Sequence, residues 1–82
     1  MRRDELLKYL GRTVRITWRK GLPPKTFCKT GILVDVGSTE VLLRYYHKGV
    51  SVPVERWVHK PRTEDDIEII KNLEVKPWLK NQ

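Results

Sequence analysis

The chain has 82 residues, with 17 Lys and Arg against 10 Asp and Glu and a formal net charge of +7. That length makes one domain around one small core and leaves little room for a deep catalytic cleft. A single cysteine, Cys28, excludes an intrachain disulfide, and no apolar run approaches the ~18 residues of a membrane span.

The charge is unevenly distributed. Residues 1–62 carry 14 basic and 5 acidic residues, a net +9, whereas residues 63–82 carry 3 and 5, a net −2. This divides the chain into a basic body, read as a small β-barrel domain with an N-terminal helix (1–62), and an acidic C-terminal helix and tail (63–82) packed on the barrel or on a partner. A basic body calls for a polyanionic partner. The lone cysteine and the lack of an apolar N-terminal core fit a cytoplasmic, intracellular protein with no membrane partner.

Residues 4–10, DELLKYL, read as a short helix with Asp4 as its cap, Leu6, Leu7 and Leu10 on one side and Gly11 as its stop. Seven residues do not hold a helix alone, so it must dock on the barrel. Residues 13–19 alternate, with Val14, Ile16 and Trp18 facing in and Arg15 and Arg19 facing out. KGLPPK at 20–25 is a loop stiffened by two prolines. Residues 26–36 form a long second strand. Cys28, Thr30, Ile32, Val34 and Val36 share its apolar face, with Cys28 a buried small hydrophobe; Phe27, Lys29, Gly31, Leu33 and Asp35 share the other. Gly31 marks a bend or bulge in that strand.

After the GST turn at 37–39, residues 40–47 return with Val41, Leu43 and Tyr45 facing in. GVSVPVERWV at 49–58 then reads as a fourth short strand through Val50, Val52 and Val54, a turn led by Pro53, and a fifth short strand at Trp57 and Val58. Five short antiparallel strands within about 50 residues predict a strongly bent barrel, because closure removes exposed edges. Residues 63–73, TEDDIEIIKNL, predict a second helix, with Thr63 and Asp66 as a capping pair, acids in its first turn and Ile67, Ile70 and Leu73 as its apolar stripe. The tail offers Trp78 and Leu79 as anchors.

The order of these elements, with LLKYLGRTVRI at the start, TGILVD at 30–35 and TEVLL at 39–43, resembles the Sm-like fold over roughly residues 5–59. VPVERWV also resembles the closing turn of SH3-like barrels, in which a Pro-led 3₁₀ turn joins the last two strands. The resemblance implies a mainly β, five-stranded, strongly bent Sm/SH3-like barrel, and for Sm-like proteins RNA binding and ring-shaped homo-oligomers. The Asn with which that family holds a uridine base has no counterpart in the Val36–Gly37–Ser38–Thr39 segment that follows Asp35.

The outward positions Arg15, Arg19, Lys29, Arg44 and Tyr46, flanked by Lys20, Lys25, His47 and Lys48 and joined by Arg56, suit a nucleic acid: cations take phosphates and a ring stacks on a base. The expected function is therefore a non-enzymatic nucleic-acid-binding protein, RNA somewhat before DNA, with self-association left open. The alternative is an SH3-like protein-interaction module. No pair of acid–base or nucleophilic groups suggests an enzyme, and no cofactor is expected. Cys28, His47 and His59 match no metal-ligand spacing.

Overall fold

The computed structural model describes residues 1–71. Five antiparallel strands, β1 (Thr13–Lys20), β2 (Lys25–Val36), β3 (Glu40–Tyr46), β4 (Pro53–His59) and β5 (Ile67–Ile69), lie in the order β4-β3-β2-β1-β5. β4 and β5 do not pair, so the sheet is open rather than a closed barrel.

The chain enters through α1 (Arg3–Leu6), which tightens into a 3₁₀ turn at Leu7–Tyr9. Glu5, not Asp4, supplies the cap: its carboxylate accepts the Arg2 backbone N–H at 2.7 Å. Leu6 is fully buried, which docks this short helix on the sheet and contributes about 1.5–3 kcal/mol. Gly11, at φ +81°, turns the chain into β1. Its N–H donates to the Leu33 carbonyl, and the Leu33 N–H donates to that of Arg12.

Val14 and Ile16 of β1 are buried as their alternation predicts, and so are Val41 and Leu43 of β3. In β2 the expected faces are reversed. Gly31 and Leu33 point inward, while Cys28, Thr30 and Ile32 lie on the outer side. The register then slips between Leu33 and Asp35, and the extra residue returns Val36 to the interior. One bulge therefore lets Leu33 and Val36 share the core although their spacing is odd. Gly31 is not that bulge. A Cβ on it would stand 2.8 Å from the Arg44 carbonyl oxygen, so glycine is what allows β2 and β3 to approach closely here.

The 49–58 segment makes one strand, not two. Pro53 is the first residue of β4, opposite Tyr46, where an edge strand tolerates the missing N–H. Trp57 and Val58 continue the same strand. The fifth strand comes from 67–69, where Ile67 and Ile69 pair with Ile16 and Val14 of β1. The helix expected over 63–73 is thus absent from its described part. Thr63 caps only a 3₁₀ turn at Glu64–Asp66, accepting the Asp65 N–H. Two β-branched residues in the alternating Ile67–Glu68–Ile69 suit a strand that seals the β1 edge. Leu73, Trp78 and Leu79 lie outside the described residues.

The core is Leu6, Val14, Ile16, Leu33, Val36, Val41, Leu43, Val58 and Ile67, drawn from α1 and all five strands. Among the described residues no helix is long and apolar enough to cross a membrane.

Candidate nucleic-acid interface

Residues directly opposite each other in antiparallel strands point to the same side of the sheet. The registers therefore sort the expected site residues into three groups. Arg15, Arg19, Arg44 and Tyr46 lie on the outer face; Lys20, Lys25, Lys29 and Arg56 lie on the side that also carries the core; His47 and Lys48 sit exposed in the β3–β4 connection. The structure does not bring them together as one outward surface. Lys29 is the displaced residue: it pairs with Ile16 and shares the core side with Leu33.

The three outer arginines are each matched by a carboxylate. Arg15 meets Glu68 at 3.3 Å, Arg19 meets Asp66 at 3.4 Å, and Arg44 donates from Nε and Nη2 to one Glu55 oxygen at 2.9 and 2.6 Å. Such exposed pairs add only about 0–1 kcal/mol each to stability, but they cancel the local field. Outward strand positions hold Arg15, Arg19 and Arg44 against Asp35, Glu40, Glu55 and Glu68, three cations and four acids, net −1. Tyr46, 70% exposed, stands on this face opposite Pro53.

The core-facing positions hold Lys20, Lys25, Lys29 and Arg56 and no acid, net +4. Toward the tip of the β1–β2 hairpin this side runs past the core as the pairs Ile16–Lys29, Trp18–Phe27 and Lys20–Lys25. Trp18 stacks on Phe27 with centroids 6.0 Å apart and planes 19° apart. The Lys29 ammonium sits 4.1 Å from the centre of the Tyr45 ring, a cation–π contact that holds the charge over an aromatic surface. Phe27 remains 43% exposed. Lys20 and Lys25 face each other directly, an arrangement of like charges that works against stability until an anion lies between them.

The sequence pattern reads Trp18 and Tyr45 as inward and does not single out Phe27, which joins them on the core-facing side. Its signal was the shared parity of Phe27 and Lys29, which was read with the inner and outer faces exchanged. Cys28, expected in the core, is exposed on the outer side between Thr26 and Thr30. Trp57 also lies on the outer face, against Gly37, where it borders an open hollow with Ser38, Thr39 and Glu40. Among the described residues no three His, Cys, Asp or Glu side chains converge as metal ligands would.

The arrangement can hold a flexible polyanion: a strip of cations for phosphates, interrupted by rings for bases. No protein-family model matches this chain, and neither do any curated proteins or solved structures.

Proposed function

We propose that this protein is a non-enzymatic nucleic-acid-binding module that works through the core-facing side of the β1–β2 hairpin. The observation that carries this reading is the charge difference between the two sides of the sheet. Cations on the outer face are matched by acids, whereas among the described strand positions Lys20, Lys25, Lys29 and Arg56 have no acid on their side, and Lys20, Lys25 and Lys29 stand near Trp18, Phe27 and Tyr45. Exposed rings beside cations favour strands whose bases are free to stack, so RNA loops and other single strands are preferred to duplex.

The closing turn that the SH3-like resemblance expects within VPVERWV is absent, because residues 53–58 of that stretch lie in the single strand β4; a 3₁₀ turn precedes β5 instead, at Glu64–Asp66. Homo-oligomers of the Sm type stay a proposal on the sequence resemblance alone. A second reading, a protein-interaction module for acidic or proline-rich peptides, is favoured by the same aromatic cluster. A panel of single- and double-stranded RNA and DNA at two salt concentrations tests the choice. Micromolar, salt-sensitive binding with single strands ahead of duplex is expected. Binding to an acidic peptide with none to any nucleic acid at low salt would install the second reading instead.

A further inference from the structure

Where β4 hands over to β5, the chain crosses the far half of β1 and leaves a cleft of about 60 Å³ lined by Thr17, Trp18, Arg19, His59, Lys60 and Arg62, with Asp66 at its wall. The space exceeds the roughly 10–15 Å³ that a single water needs on this measure. That is room for a small tetrahedral oxyanion.

Its charge is lopsided. Arg19, Lys60 and Arg62 give three cations against the single carboxylate of Asp66. Asp66 is only 7% exposed, and its side chain is tied to Arg19 at 3.4 Å. That long contact uses one of the five N–H donors of the guanidinium fork. It fixes the arginine against the cleft and leaves the other donors available. Lys60 gives one N–H to the Ser38 carbonyl at 3.1 Å and has two more. Among the described residues the Arg62 and His59 side chains make no hydrogen bond or ion pair. The Thr17 hydroxyl adds a neutral donor. Planar guanidinium forks match phosphate oxygens two at a time, so two arginines and a hydroxyl around one small space make a phosphate site.

We infer that this cleft binds a phosphate group. Trp18 borders the cleft and stacks on Phe27, but its ring lies on the core-facing side of β1, opposite to the Thr17 and Arg19 side chains. The oxyanion site stands on its own geometry; giving that phosphate to a nucleic-acid strand rests on the function proposed above.

The test is a two-dimensional NMR titration of the full chain with inorganic phosphate, against sodium chloride of matched ionic strength. Phosphate is expected to shift the Trp18 indole, His59 and Arg19 signals saturably in the millimolar range. Arg62→Gln should weaken that binding roughly tenfold, the loss of one charge-assisted contact. Arg44→Gln, on the outer face, should leave it unchanged. His59→Gln serves as the second variant if Arg62→Gln perturbs the fold, and it should also weaken binding. Shifts that follow ionic strength over all basic residues, or Arg62→Gln and His59→Gln proteins with unaltered affinity, overturn the site.

A second arm separates the sources of the phosphate by adding a short single-stranded RNA and a mononucleotide to the same sample. RNA that displaces phosphate and is weakened by Arg62→Gln makes the group a strand phosphate. A mononucleotide that binds while RNA leaves the cleft signals unmoved makes it a small phosphate ester. In that case the cleft stands, and the function proposed above fails if RNA also leaves the Phe27 and Lys25 signals unmoved.

Discussion

The two sides of the sheet are built from the same strands yet use charge in opposite ways. On the outer face Arg15, Arg19 and Arg44 each lie beside a carboxylate supplied by a neighbouring strand or by the turn before β5. On the core-facing side the cations near the hairpin tip have aromatic neighbours and, among the described strand positions, no acids. A net charge read from composition cannot distinguish these cases, because charge that is locally cancelled does not steer a polyanion. The acidic segment that follows Arg62 explains much of the difference. Glu68 and Asp66 bring two of its carboxylates against β1 and neutralise the face that carries Arg15 and Arg19. Among the described residues no carboxylate of that segment pairs with Lys20 or Lys25 at the hairpin tip.

This contrast can be broken most severely from the core that both sides share. Leu43→Ala removes a fully buried side chain next to Leu33 and should destabilise the protein by about 2–5 kcal/mol in a denaturant titration. Loss of that magnitude would abolish binding through unfolding, so it sets the lower limit against which surface variants are read. Phe27→Ala comes next. It removes the exposed half of the aromatic stack, so single-strand affinity should fall by about 1–3 kcal/mol, the worth of one stacked base, with a smaller change in melting temperature. An unchanged affinity would leave the platform without its ring. Arg44→Gln breaks the outer pair with Glu55; stability should change by no more than about 1 kcal/mol, and affinity should not change. The smallest effect has the opposite sign. Lys25→Gln relieves the repulsion from Lys20 and should raise stability by roughly 0.2–1 kcal/mol while weakening nucleic-acid binding. A variant that lost both stability and affinity would show that these lysines support the hairpin rather than a ligand.

Much of the strand architecture was legible because alternation is a local property. Val14, Ile16, Val41 and Leu43 each follow their own strand's period, and all are buried. Two features were hidden for physical reasons. The slip after Leu33 puts two residues of odd spacing into one core, and no period within β2 reveals it; only the pairing with β3 does. That slip also hid which side of the sheet carries Phe27 and Lys29, because placing Val34 and Val36 on one apolar face turned Cys28 inward and Lys29 outward. The segment Thr63–Lys71 carries good helix-start chemistry, yet the open edge of β1 next to Val14 and Ile16 is a stronger determinant than local propensity. The cation inventory was read correctly. Its division into cancelled and uncancelled charge depended on contacts such as Arg15–Glu68, which join residues 53 positions apart in the chain.

On this account the uncancelled cations of the hairpin, and not the paired Arg15 and Arg44 of the outer face, contact the phosphates of a bound strand. The salt dependence of single-stranded RNA binding tests this directly in two variants, Lys20→Gln/Lys25→Gln and Arg15→Gln/Arg44→Gln. Each phosphate contact on a single strand contributes about −0.7 to the slope of log K against log salt. The hairpin variant should therefore bind more weakly with a slope shallower by about 1.4, while the outer-face variant keeps the slope of the unmodified protein. A shallower slope in the outer-face variant, with the hairpin variant unaltered, would contradict the claim.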